Sequence, residues 1–159
     1  MKIIDNKNIN EVRKEIKKIK KENKEEKVMV RAQDEYFNRK ILEMKDVDVL
    51  VSPEIHSRKD FLKQRDSGLN EYMCKLASKN NIIIGIDIER IKRMEKKEKA
   101  KIISRIKQNI SLCKKTNTIM TFVSERKYFK QEIISFFIVL KGSTEQAKKA
   151  ADSYFALNL

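Results

Sequence analysis

The stretch "VDVLVSPEIHSRKDFLKQRDSGLNEYMCKLASKNNIIIGID" (residues 47–87) holds the pattern that decides the fold. Its ends, "VDVLVS" (47–52) and "NIIIGID" (81–87), are β-branched and almost continuously apolar. Runs of that kind suit strands covered on both faces. Between them Leu69, Met73 and Leu76 recur at helical spacing, and Ser67 stands where a helix cap is expected. Strand, loop, helix and strand in that order make a parallel βαβ unit. The unit repeats outward. "KIID" (2–5), "KVMVRA" (27–32) and "TIMTFVS" (118–124) are further strands, and "FALNL" (155–159) is a weaker sixth.

Helical patterns lie between the strands. Ile9, Val12, Ile16 and Ile19 form one stripe; a long segment over 91–115 puts Met94, Ile102, Ile103, Ile106 and Ile110 on one side. "YFKQEIISFFIVLK" (128–141) is apolar almost all round and so reads as a well-buried helix with Gly142 as its C-terminal cap. Ser143 and Gln146 read as a capping box opening the last helix. With three glycines, one proline and no flexible linker, residues 1–159 read as one α/β domain. Five or six βα units fit either a doubly wound sheet or an incomplete barrel, since eight units usually need about 200 residues or more.

The charge balance points to partners. There are 37 Lys and Arg against 23 Asp and Glu, a net charge of +14. Such a surplus favours polyanions, because neutralising phosphates releases condensed counterions. Nucleic acid is the first expectation and a membrane surface its rival. The longest apolar run, "IISFFIVL" (133–140), is too short to cross a bilayer, and "MKIIDNKNIN" has no leader-like apolar core. Cys74 and Cys113 both fall in helical patterns, far apart in sequence, and read as buried free thiols. A reducing, cytoplasmic location is expected.

Enzyme motifs are missing. No glycine-rich nucleotide loop, P-loop lysine or nucleophile elbow occurs. One histidine, His56, cannot build a transition-metal centre and reads as a half-exposed polar residue at a strand end. Asp87 and Glu89 are too few carboxylates for a convincing Mg²⁺ site. No catalytic residue, metal ligand or protein-bound cofactor is expected.

The cations are better placed. In parallel βα folds the loops after the strands form the working face. Arg31 ends the second strand; Arg58, Lys59, Lys63 and Arg65 follow the third; Arg90, Lys92 and Arg93 follow the fourth; Arg126 and Lys127 follow the fifth. Arginine's fork grips phosphate oxygens bidentately. The candidate RNA-binding set is Arg31, Arg58, Lys59, Lys63, Arg65, Arg90, Arg93, Arg126 and Lys127. Tyr128 and Phe129 are the aromatics nearest these junctions, though both read first as core. The lysine-rich faces "RKEIKKIKK" and "RMEKKEKAK" read as solvated helix surface.

Longer motifs carry a resemblance. "DVDVLVSPE" (46–54), "RKDFLKQRDSGLNEYMCKLASKNNIIIGIDI" (58–88), "TFVSERK" (121–127) and "STEQAKKAADSYFALNL" (143–159) resemble the archaeal ribonuclease P protein component 3 family, over about residues 25–159. The resemblance implies a reduced or incomplete TIM-like βα barrel related to metal-dependent phosphoesterases but lacking their metal site. It implies an RNA-binding subunit of the ribonuclease P ribonucleoprotein, which removes the 5′ leader from precursor tRNA. The RNA would perform the hydrolysis with its own Mg²⁺, and the protein would pair with component 2. The carried-over positions are Arg58, Lys59, Asp60, Arg65, Asp66, Ser67, Gly68, Leu69 and Asn70, with Ser124, Glu125 and Arg126. Of these, Asp60, Asp66, Ser67, Gly68 and Asn70 would structure the loop. Two departures stand out: about two βα units of the family have no counterpart here, and Glu89 occupies the place of an arginine now found at Arg90. A small metal-dependent phosphoesterase and a basic protein–protein scaffold are the rival readings.

Overall fold

Residues 2–158 are described by a computed structural model. The chain runs β1 (Lys2–Ile4), α1 (Ile9–Glu22), β2 (Val28–Arg31), α2 (Glu35–Leu42), β3 (Val49–Val51), α3 (Glu71–Lys79), β4 (Ile83–Asp87), α4 (Ile88–Lys92), α5 (Lys96–Thr116), β5 (Met120–Val123), α6 (Lys130–Val139) and α7 (Thr144–Leu157). The strands form one parallel sheet in the order β1-β2-β3-β4-β5. That order settles the choice left open by periodicity. A doubly wound sheet reverses its strand order and so carries helices on both faces. Here the order never reverses, and uniform crossovers keep the helices that connect the strands on one side, as in a βα barrel. β1 and β5 are the two ends of the sheet, so the barrel is incomplete.

Alternation along each strand divides the core in two. Ile4, Val28, Val30, Leu50, Ile84, Ile86, Met120 and Phe122 face the helices and meet Val12, Ile41, Met73, Ile106 and Phe137. The opposite residues, Met29, Val49, Val51 and Val123, form a smaller cluster on the inner face with Ile3, Ile83 and Leu157. Gly85 makes that inner cluster fit. A methyl group there would sit 2.6 Å from Val123 Cγ2 and 2.8 Å from Val49 Cγ1, so both neighbouring valines lean into the space above the glycine. Along the β5 side, Ala147, Ala150 and Ala151 let α7 approach closely, and Thr121 donates to the Ala150 carbonyl at 2.6 Å.

Several local expectations need correction. Asn70, not Ser67, caps α3, accepting from the Met73 amide at 2.9 Å, and the helix begins after it. The segment expected as one helix over 91–115 breaks at Arg93–Glu95 into α4 and α5. Residues 155–157 continue α7 rather than forming a strand, and Leu159 lies outside the described residues. The helix α6 is not well buried: Ile133 and Phe137 point inward, while Ile138 is exposed and Val139 is 74% exposed. It packs on one side only, against α7 and β5, so Ile134 and Phe136 are part-buried against the core while Ile138 and Val139 meet solvent. At its end Lys141, not Gly142, takes the left-handed conformation; Gly142 instead lets its amide approach the Phe137 carbonyl at 2.8 Å. The Ser143–Gln146 capping box is present.

Replacing Gly85 with alanine should overpack the inner face and cost about 1–3 kcal/mol in urea unfolding. Adding Val123→Ala should then cost less than it does alone, because the two groups compete for one space. Strict additivity of the two losses would show that the valines do not fill it.

Candidate nucleic-acid interface

Because the sheet is parallel, the junctions after β1 to β5 lie along one rim, and the longest of them, between β3 and α3, is the most heavily braced. Its anchor is Arg105 of α5, a fully buried side chain. Its Nη1 donates to the carbonyls of Glu54 (3.0 Å) and His56 (3.2 Å), and its Nη2 donates to the Arg58 carbonyl at 2.8 Å. Its Nε donates to Asp60 Oδ1 at 2.9 Å. Asp60 also accepts from Arg65 Nη1 (2.8 Å) and from the Asp66 amide (3.0 Å). Asp66 in turn accepts from Arg58 Nε at 2.7 Å, Arg58 Nη2 at 3.3 Å and the Gly68 amide at 3.1 Å. Farther along α5, Gln108 Nε2 reaches the Arg65 carbonyl and Asn109 Nδ2 the Ser67 carbonyl, each at 3.0 Å.

Gly68 closes the loop. Its φ of +76° is left-handed, and any Cβ would lie 1.8 Å from the Pro53 carbonyl oxygen, so no other residue fits without moving backbone. Ser67 is buried beneath it as an acceptor for Gln108.

The network sets the charges. Burial alone would raise the Asp60 pKa; hydrogen bonds from Arg65, the Asp66 amide and Arg105 outweigh it and hold the carboxyl at about 2. The Arg58 hydrogen bond likewise lowers Asp66. Burial, then Arg105 and Arg58, lower His56, so the ring is neutral near pH 7 and its Nε2–H donates to the Asp66 carbonyl at 2.9 Å. His56 is therefore an interior brace rather than a half-exposed residue at a strand end.

The candidate cations divide into two kinds. Arg31 is only 17% exposed and lies between Asp5 and Asp87, 3.2 Å from each, so it ties β1, β2 and β4 together rather than facing outward. Arg58 and Arg65 are committed to Asp66 and Asp60. Among the described residues, Lys59, Lys63, Arg90, Arg93, Arg126 and Lys127 are exposed and have no ion-pair partner. Arg93 and Arg126 border a cleft of about 420 Å³, which Ile3 of β1 and Val123 of β5 line from opposite ends of the sheet. Asp87, Glu89 and Glu125 also line it. Among the described residues no group of three or more His, Cys, Asp or Glu side chains is arranged to hold a metal ion. Among the described residues no helix is long and apolar enough to cross a membrane.

Arg105, Gln108 and Asn109 were not among the sequence candidates. The one available signal was positional: Arg105 and Asn109, four apart, each precede an isoleucine of the buried α5 stripe, Ile106 and Ile110.

No protein-family model matches the chain. Component 3 of ribonuclease P from Methanococcus maripaludis is 33% identical over 115 residues, covering 72% of this chain and 46% of the relative. The Methanococcus vannielii protein of the same name is 31% identical over 118 residues, 74% of this chain and 47% of that one. The chain is a homologue of ribonuclease P protein component 3. It spans about half the length of the curated component 3 relatives it matches. Its fold is similar to that of a chain in a cryo-EM structure of archaeal ribonuclease P with mature tRNA, with a TM-score of 0.77, 21% identity, and coverage of 98% of this chain and 65% of that one. The component 3 resemblance seen in the loop motifs thus extends to sequence similarity over 72% of the chain.

One rim residue is unexpected. Glu54, just after β3, is fully buried, and neither carboxyl oxygen has a hydrogen-bond partner. Burial, reinforced by Asp87, raises its pKa from 4.5 to about 7, although its own backbone amide, Arg90 and Ser52 pull the other way. A carboxyl whose folded pKa lies above its unfolded value favours folding fully below pH 4.5, and that contribution is lost as pH rises through about 7. The shift is worth about 3 kcal/mol. Glu54→Gln should therefore match the wild type near pH 4.5 and exceed it by up to that amount at pH 8, read from urea midpoints. Parallel pH profiles for the two proteins would refute a buried, proton-holding Glu54.

Proposed function

We propose that this chain is a non-catalytic, RNA-binding protein subunit of ribonuclease P, supporting removal of the 5′ leader from precursor tRNA. The observation that carries this reading is its homology to component 3 proteins over 72% of its length. The rim supports it: unpaired cations cluster along the edge where parallel βα folds place their working loops. In this reading Lys59, Lys63, Arg90, Arg93, Arg126 and Lys127 meet phosphates directly. Arg58 and Arg65 add positive potential while bracing the loop, and Arg31 acts only through the rim's shape. Ribonuclease P RNA carries the chemistry and its Mg²⁺; the protein contributes no cofactor. Component 2 is the expected protein partner and precursor tRNA the substrate of the assembly, in the cytoplasm.

Reconstitution tests this. Adding the chain with component 2 to cognate ribonuclease P RNA should lower the Mg²⁺ needed for cleavage, and the protein without RNA should cleave nothing. Metal-dependent hydrolysis by RNA-free protein would instead favour a phosphoesterase. Single variants refine the map. Lys63→Ala or Arg93→Ala should weaken RNA binding, flatten its salt dependence by roughly one unit per contact and leave stability within about 0.5 kcal/mol. Arg58→Ala should instead lower the melting temperature, because Asp66 loses its partner. Unchanged salt slopes for Lys63→Ala and Arg93→Ala would remove both from the interface.

A further inference from the structure

We propose that Phe61, at the tip of the braced loop, is a stacking platform for an unpaired base of bound RNA; the inference rests on the RNA reading above and adds a mode of recognition to it. Phe61 is 67% exposed, and Leu62 beside it stands fully in solvent. Exposed aromatics on loose loops are unremarkable, but this tip is not loose. It leaves the network at Asp60, held by Arg105 and Arg65, and rejoins it at Arg65 and Asp66. Folding has already fixed both ends of the four-residue tip, so less ordering is needed when something binds it. Phe61 also borders a shallow cavity of about 200 Å³ with Gln64, Asn70, Met73 and Gln108, which keeps one side of the ring near protein.

The chemistry around the ring selects the occupant. Lys59 and Lys63 flank it, both exposed and unpaired among the described residues. The cores of protein–protein interfaces are depleted in lysine. An exposed ring between cations instead matches the arrangement that holds single strands, with bases on aromatic faces and phosphates on basic side chains. Further aromatic surface stands close by. Tyr36 and Tyr72 are exposed in the first turns of α2 and α3, which are tied by the Asn70–Glu35 hydrogen bond at 3.2 Å. Arg39 and Lys40 lie 6.0 and 5.8 Å from the Tyr36 ring centre. Duplex RNA hides its base faces, so the platform needs unpaired nucleotides.

The chain contains no tryptophan, so Phe61→Trp places a sole tryptophan at the site, whose emission can be excited apart from that of the four tyrosines. The probe is a short mixed-sequence single-stranded oligoribonucleotide, compared with its duplex. Phe61→Trp should bind the single strand as tightly as wild type, with its emission quenched, and the duplex should quench it less. Phe61→Ala should weaken single-strand binding about five- to a hundredfold with an unchanged salt slope, since stacking but no charge is lost. Phe61→Leu should not restore it. Melting temperatures should be alike throughout.

Wild-type affinity in Phe61→Ala, or full rescue by leucine, overturns the platform and leaves the RNA reading standing. Failure of the wild type to bind either RNA overturns both. If Phe61→Ala keeps RNA affinity but no longer associates with component 2, the tip is a protein wedge, and the platform is wrong.

Discussion

A guanidinium with no contact with solvent, that of Arg105, holds together the connection on which the rim depends. Removing such a charge from water costs several kcal/mol, recovered only if its donors find well-placed acceptors. Here each nitrogen has one: three backbone carbonyls of the loop and one carboxylate. The arrangement works in both directions. Arg105 satisfies carbonyls that a loop without regular structure would otherwise leave bare, and the loop satisfies Arg105. Asp60 is the hinge of the exchange, because it also receives Arg65 and the Asp66 amide and so carries the order outward to the tip.

The sheet supplies the setting. Consecutive parallel strands bring every strand end to one rim, and Gly85 gives the inner face room for the two valines beside it. Near the top of that face Arg31 bridges Asp5 and Asp87 and ties three strands together. Glu54 sits nearby, its carboxyl oxygens without a hydrogen-bond partner among the described residues. Charge inside the rim is thus spent on structure, and charge outside it is left for solvent or a polyanion.

What the sequence revealed follows the range of each interaction. The five strands were legible because an apolar run with β-branched residues needs no partner to be recognised. The capping box at Ser143 is equally local. The cap of α3 was misplaced from Asn70 to Ser67, since either side chain suits the position and only packing against α5 shows that Ser67 is buried. The break between α4 and α5 has no proline or glycine to announce it. Exposure of α6 could not be read from its composition, which describes what a helix prefers and not how many neighbours it has. Cations at the strand ends were visible, but among the described residues their division into paired Arg31, Arg58 and Arg65 and unpaired Lys59, Lys63, Arg90, Arg93, Arg126 and Lys127 depends on how the loop folds Asp66 and Asp60 back onto Arg58 and Arg65, and on Asp5 and Asp87 reaching Arg31 from other strands. Arg105 was the hardest to see. Its partners lie 45 to 51 positions away.

Amide hydrogen exchange in Arg105→Met tests most directly whether that one guanidinium holds the loop. In the wild type the Asp66 and Gly68 amides, bonded to Asp60 and Asp66, should exchange slowly. In the variant they should lose protection while the amides of β3 and β4 keep theirs. Unchanged protection at Asp66 and Gly68 would contradict the account. So would uniform loss across the sheet, which would make Arg105 a pillar of the whole core rather than of the loop.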